Sequence, residues 1–341
     1  MAIDTAFALA GLGGFNAHGA GFLQAARDNA YVPKLVTATS GQIIILANYL
    51  AGKADLREGL IDPVRARDPF AQIETALFGY PGVFKPAYGD MLARLLTPPS
   101  VSDSLIDIVA DRLLPAQQYA PSRPDAALQI IVDTFNASPI GAVFNTYDPA
   151  TGRGMLYGNN AARDLMEPES AIPFPESERI TDVKYREKGD AEARIRPIDI
   201  DAIKAALWLS LYGYERLPIG QMDGAYHRSC ILSELHSFPR VIVARPLANG
   251  WLSETPKNYY DVQDWNTEMW FSVGYKAEVD AMKRINQLIR DKVITDPKFR
   301  IVDLHEVAPA TPAGYFNFFI ERQEVYDKAY AQADDLFKRL P

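Results

Sequence analysis

The residue best placed to do chemistry is Ser40. It stands in Ala38-Thr39-Ser40-Gly41-Gln42, after the apolar run Lys34 to Ala38 and before Ile43-Ile44-Ile45-Leu46. A serine in a sharp strand-to-helix turn with small neighbours is how a G-x-S-x-G nucleophile elbow exposes its hydroxyl. Ala38 and Gly41 meet that need; Gln42 does not. The same place also suits a serine that only caps the next helix. Upstream, Gly11-Leu12-Gly13-Gly14-Phe15-Asn16 follows another apolar run. As a dinucleotide fingerprint it fails twice: Asn16 replaces the third glycine, and no acid ends the next strand. No Gly-Lys-Ser/Thr loop and no His-Glu-x-x-His motif occurs. Cys230 is the single cysteine, so neither an intramolecular disulfide nor a multi-cysteine metal site is available.

The elements that would position Ser40 follow from pattern. Ala6 to Ala10 and Lys34 to Ala38 are continuous apolar runs, as expected of strands buried on both faces. Helix-like stretches carrying Phe22-Leu23 and Ile43 to Leu50 follow them. Strand, loop, helix, strand, turn, helix is the order of a parallel sheet with right-handed crossovers. Residues 52–125 alternate charged and proline-rich pieces with helical patterns, which predicts a helical excursion over the sheet and a source of a lid. Strands are expected again at Leu128–Asp133, Gly141–Asn145 and Arg240–Ala244, with Asp-Pro and Thr-Gly turn chemistry at Asp148 to Gly152. Glu167 to Arg196 reads as a surface loop and Ile198 to Tyr212 as a helix. In the tail, Tyr275, Val279, Met282, Ile285 and Ile289 recur at helical spacing. Tyr326, Tyr330, Ala333, Phe337 and Leu340 do the same.

Taken together, the blocks resemble the patatin-like phospholipase family, which opens with G-G-G-x-R-G-x-x-x-x-G-x-L and then reaches G-T-S-x-G. Gly11, Gly13, Gly21, Leu23, Thr39 and Ser40 fall on matching positions without gaps, and Asp223-Gly224-Ala225 matches the family's D-G-A variant. The resemblance covers roughly residues 1–245 in scattered blocks. It implies a three-layer α/β/α sandwich with a mostly parallel central sheet, and a site at the carboxyl ends of the first strands. It also implies Ser40 as nucleophile, Asp223 as its base, and Gly11, Gly13 and Gly14 as the oxyanion hole, with no metal or organic cofactor. Asn16 and His227 are auxiliary candidates; His18 could approach the site from the helix start but is expected to pack or cap, and His236 and His305 carry no partner pattern. A carboxylate has a reference pKa near ~4, so burial must raise its basicity. It should still keep activity to lower pH than a histidine base would.

Leu12, Phe15, Asn16, Ala38 and Gln42 depart from the family pattern. Leu12, Phe15 and Gln42 are expected to narrow the site, which keeps open a catalytically weakened binder of acyl ligands. A scaffold docking through Trp265, Trp270 and Phe271 is the other alternative. The 341 residues divide into a core at 1–250 and a helical extension at 251–341 packed on it. A formal net charge of −8 argues against a nucleic-acid partner. The apolar runs are too short for a membrane span and the first residues lack a basic leader, so a cytoplasmic protein is expected. The expected substrate is a lipid or other hydrophobic ester, peripheral membrane contact stays open, and no pattern fixes an oligomeric state.

Overall fold

The computed structural model describes residues 4–11, 16–61, 70–80, 82–97, 104, 116–166, 195–247, 250–252, 254–297, 299–309 and 322–340. Two apolar runs form the expected parallel strands, β1 (Thr5–Leu9) and β2 (Leu35–Ala38), each fully buried. α1 (Ala17–Asp28) connects them, and α2 (Gln42–Leu50) leaves β2 through the serine turn. The excursion supplies α3 (Ala71–Phe78) and α4 (Tyr88–Leu96). It also holds a small antiparallel pair, β3 (Phe84–Pro86) with β4 (Tyr119–Pro121), so the excursion is not purely helical.

Leu128 to Asp133 is not a strand. It lies inside α5 (Asp125–Ala137), whose buried Leu128, Ile131, Val132 and Phe135 fall at i, i+3, i+4 and i+7. Pro124 at its N-cap and Asp125 in its first turn are helix-start signals that outweigh the short apolar run. β5 (Gly141–Asp148) and β6 (Arg153–Gly158) make an antiparallel hairpin, closed by the expected turn with Gly152 at a φ of +73°. After α6 (Asn160–Met166), most of the expected surface loop, 167–194, lies outside the described residues. Its end is β7 (Ile195–Pro197). The helix expected to reach Tyr212 is only α7 (Ile200–Ala206), capped by Asp199, which accepts from the Ala202 amide at 2.7 Å.

β8 (Met222–Asp223) and β9 (Arg240–Ala244) follow, then α8 (Tyr259–Arg290), β10 (Asp303–Val307) and α9 (Gln323–Arg339). The tail is therefore not wholly helical, since β10 pairs parallel with β9 at the sheet edge. Strand order is β10-β9-β1-β2-β5-β6-β7, with β8 paired antiparallel to β5.

Residue parity builds the layers, because alternate side chains leave opposite faces of a strand. Phe7, Leu9, Val36, Ala38, Phe144 and Ile242 meet α1, α2, α5, α7 and α9 on one face. Ala6, Ala8, Leu35, Val143, Val241 and Val243 meet α6, α8 and the segment around Ile231 on the other. The result is a three-layer α/β/α sandwich with a mostly parallel sheet. Phe337 of α9 packs against Phe22 and Phe7, with ring centroids 5.5 and 5.9 Å apart, and so ties the tail to α1.

Candidate active site

Ser40 sits at the carboxyl end of β2, in the turn that launches α2, and is 3% exposed. Its φ is +60°, a left-handed conformation that costs a non-glycine residue about 1–3 kcal/mol and persists only where neighbours enforce it. Neighbours do enforce it. The Thr39 amide bonds the Leu9 carbonyl at 3.2 Å, and the Ser40 carbonyl already accepts from Ile43 in the first turn of α2. Gly11 presses on the turn so closely that a Cβ there would lie 2.5 Å from the Thr39 carbonyl oxygen and 2.8 Å from Ser40 Cβ.

That contact changes the reading of Gly11. Its amide donates to the Ser229 carbonyl at 2.8 Å and is thus already engaged. Gly11 is needed for close approach to the elbow, and its N–H is not an oxyanion donor. Gly13 and Gly14, the other expected donors, lie outside the described residues, as do Leu12 and Phe15.

Asp223 reaches Ser40 through the sheet. β8 pairs with β5 at Thr146 opposite Asp223, and β5 lies beside β2. Across 183 residues of sequence, the Ser40 hydroxyl donates to Asp223 Oδ2. Oδ1 accepts from the Ala225 amide at 2.9 Å, so both carboxylate oxygens are held. Asp223 is 1% exposed, and burial pushes its carboxyl up to about 7 against the opposing pull of the Ser40 and Ala225 hydrogen bonds. The site therefore pairs a hydroxyl carried on a positive-φ backbone with a buried carboxylate whose proton affinity is raised toward neutrality.

The histidines go elsewhere. His227, four residues past Asp223, stacks on Tyr147 at 5.8 Å with nearly parallel rings. His18 is buried with Nε2 3.0 Å from the Ala10 carbonyl, His236 Nδ1 is 2.9 Å from the Ser233 carbonyl, and His305 pairs with Asp303. Cys230 is buried, and burial drives its thiol far above the ordinary value. Among the described residues, no group of three or more His, Cys, Asp or Glu could hold a metal ion.

Gln42 does not obstruct the site. Its side chain turns into the α1–α2 contact, where a Cβ on Gly19 would fall 1.7 Å from its Oε1. Its Nε2 donates to the backbone and side-chain oxygens of Asn16, both at 3.3 Å. Gln42 thereby fixes Asn16, which itself borders the cleft.

Ser40 opens into a cleft of about 410 Å³. Leu60, Tyr80, Val83, Leu207, Trp208 and Tyr212 give it an apolar wall, and Asn16, Asn48, Arg123, Asp125 and Lys204 add polar groups. Arg123, Trp208 and Tyr212 carry no sequence signal of function. They reach the cleft only through tertiary folding.

No helix among the described residues is long and apolar enough to cross a membrane. No protein-family model matches the chain, and no curated protein matches its sequence. Among solved structures it is similar to VipD from Legionella pneumophila, at 10% identity and a TM-score of 0.36, over 98% of this chain and 67% of that one. Likeness so faint carries no weight for chemistry or descent.

Proposed function

We propose that this chain hydrolyses carboxylic esters through a Ser40–Asp223 dyad of the patatin-like type. One observation carries the reading: a serine at positive φ donates to a buried carboxylate 183 residues away. A capping serine would need neither the strain nor that partner.

In the proposed cycle Ser40 Oγ attacks the ester carbonyl carbon while its proton passes to Asp223 Oδ2. The C=O pair moves onto oxygen. The Gly41 amide, which has no acceptor among the described residues, contributes one donor to that oxyanion, together with Gly13 and Gly14. Collapse expels the alkoxide, which takes the proton from Asp223, and an acyl-serine remains. Water then attacks the acyl carbon, giving its proton to Asp223. Cleavage frees the acid and returns the proton to Ser40. The apolar wall favours a lipid or another hydrophobic ester. Leu60, Tyr80, Val83 and Pro121 belong to the excursion, which in this reading covers the bound chain.

A serine-directed fluorophosphonate is expected to label Ser40, and Ser40→Ala to abolish both labelling and hydrolysis of a short-chain p-nitrophenyl ester. Turnover that survives Ser40→Ala would remove the nucleophile assignment.

A further inference from the structure

The cleft holds a cation that the dyad chemistry does not use. Arg123 lines it, in the short link between β4 and α5. The link is fixed: the Ser122 amide bonds the Val83 carbonyl at 3.2 Å, and Pro124 begins the helix cap. Arg123 therefore projects from a braced backbone, which suits a recognition residue.

Its electrostatic setting is unusual. Lys204, the other cation of the cleft, is neutralised by Asp125 at 2.8 Å. Arg123 has no carboxylate partner among the described residues; the charged or ionisable group it senses most is the Tyr212 phenol. Burial holds its guanidinium below the ordinary value, the mark of a cation that has lost water without gaining an anion. A partly buried, uncompensated guanidinium is costly, and a ligand anion that pairs with it recovers that cost. The fork geometry of arginine fits a carboxylate or a phosphate through two parallel hydrogen bonds.

We propose that Arg123 is a specificity-determining residue that binds an anionic group, carboxylate or phosphate, on the same molecule whose ester is presented to Ser40. The preferred substrate is then an anionic amphiphile: an alkyl portion lies along Leu60, Val83, Leu207 and Tyr212, and a charged end pairs with Arg123. The catalytic half of this statement rests on the proposed hydrolase reading; the anion-binding half does not.

The test therefore separates the two. Binding of n-octyl phosphate, n-octanoate and n-octanol to the full chain is measured by isothermal titration, in wild type, Arg123→Gln and Arg123→Lys. None of these probes is a carboxylic ester, so the measurement is independent of turnover. The two anions are expected to bind about ten-fold or more tightly than octanol, as a charged hydrogen bond warrants. Arg123→Gln is expected to erase that preference and Arg123→Lys to keep part of it. An anion preference that persists in Arg123→Gln, or its absence in wild type, overturns the inference. Inorganic phosphate binding as tightly as octyl phosphate also overturns it, since the alkyl portion would then contribute nothing. In turnover, mono-p-nitrophenyl adipate should be favoured over p-nitrophenyl hexanoate in wild type, and Arg123→Gln should collapse that ratio through KM. If Ser40 resists the fluorophosphonate while octyl phosphate still binds through Arg123, the hydrolase reading fails and the anion site stands. Ser40 labelling without any anion preference keeps the hydrolase and removes the anion site.

Discussion

The sheet side of the cleft and the outer part of the excursion are built to different standards. On the sheet side Ser40, Asp223, Gly11 and Gln42 sit where strands, helix starts and glycine-tight contacts leave each side chain one place to go. In the outer excursion, away from the cleft lining, α4 buries none of its residues, and Leu96 and Phe78 are 75% and 73% exposed. Few buried contacts mean low local stability there, whereas nearer the cleft Phe84, Tyr119 and Tyr212 form a buried cluster that braces Tyr80 and Val83. A reacting hydroxyl needs sub-ångström placement, and rigid elements supply it. In the proposed reading the chemistry belongs to the over-determined sheet side.

Asp223→Asn is the largest test of that placement. Turnover of a short-chain ester is expected to fall by about a thousand-fold or more, because the base is removed while its shape is kept. Stability should move the other way. The folded carboxyl sits at about 7, above its ordinary 3.8, so the fold favours the protonated form. The stability this contributes is full below about 3.8 and is lost as pH rises through about 7. The asparagine variant lacks that loss, so its Tm advantage over wild type should be larger at pH 8 than at pH 5. An advantage that does not grow with pH would mean the carboxyl is not held protonated by burial. The same shift revises an expectation from sequence. A base at about 7 loses activity in the range where a histidine would, so the acid limb alone does not distinguish them. His227→Ala does: with its ring stacked on Tyr147, its removal should leave that limb in place.

Glycine replacements set the elbow beside the outer excursion. Gly11→Ala puts a methyl 2.5 Å from the Thr39 carbonyl oxygen, where only backbone could yield. A loss of about 1–3 kcal/mol in urea unfolding is expected, with turnover falling as the elbow shifts. Gly89 in α4 meets nothing within 4 Å. Alanine there should leave turnover unchanged and stabilise by up to about 1 kcal/mol, through helix propensity and reduced unfolded-state freedom. Equal effects at both sites would erase the distinction between the two regions.

Much of the over-determined wall was legible in the sequence. Strands buried on both faces read as unbroken apolar runs, and Ala6 to Ala10, Lys34 to Ala38 and Arg240 to Ala244 fall on β1, β2 and β9. Ser40 and Asp223 stand out in the sequence because each lies in a short local motif, and the fold brings their side chains into a hydrogen bond. Errors came where a local pattern had two solutions. Leu128 to Asp133 is as apolar as a strand, and only its continuation to Phe135 and the cap at Pro124 reveal the helix. β10 was missed because an edge strand needs little burial: Asp303-Leu304-His305-Glu306-Val307 buries only its last residue. Arg123 had no local signal, since its meaning comes from Val83, Lys204 and Tyr212, which are distant in sequence.

Gln42 gives the finest test, because sequence and structure assign it opposite roles. By motif it replaces the last elbow glycine and should narrow the site. In the fold it leaves the cleft and packs against Gly19, whose missing side chain makes room for it. The two positions should then be energetically coupled. Gly19→Ala forces its methyl onto Gln42 Oε1, and the flexible end of that side chain can yield only by giving up its bonds to Asn16. In a Gln42→Ala background the same methyl enters vacated space. A double-mutant cycle by urea unfolding should give a coupling of about 0.5–3 kcal/mol, with the double variant more stable than the two single losses add up to. Turnover carries the second half of the argument. Gln42→Ala should not raise hydrolysis of a short-chain ester, since it opens the α1–α2 contact and not the cleft, and it takes two hydrogen bonds from Asn16 at the cleft's edge. Raised turnover together with zero coupling would return Gln42 to the role the motif suggests, a side chain obstructing Ser40, and would show the sheet-side wall to be less fixed than its contacts imply.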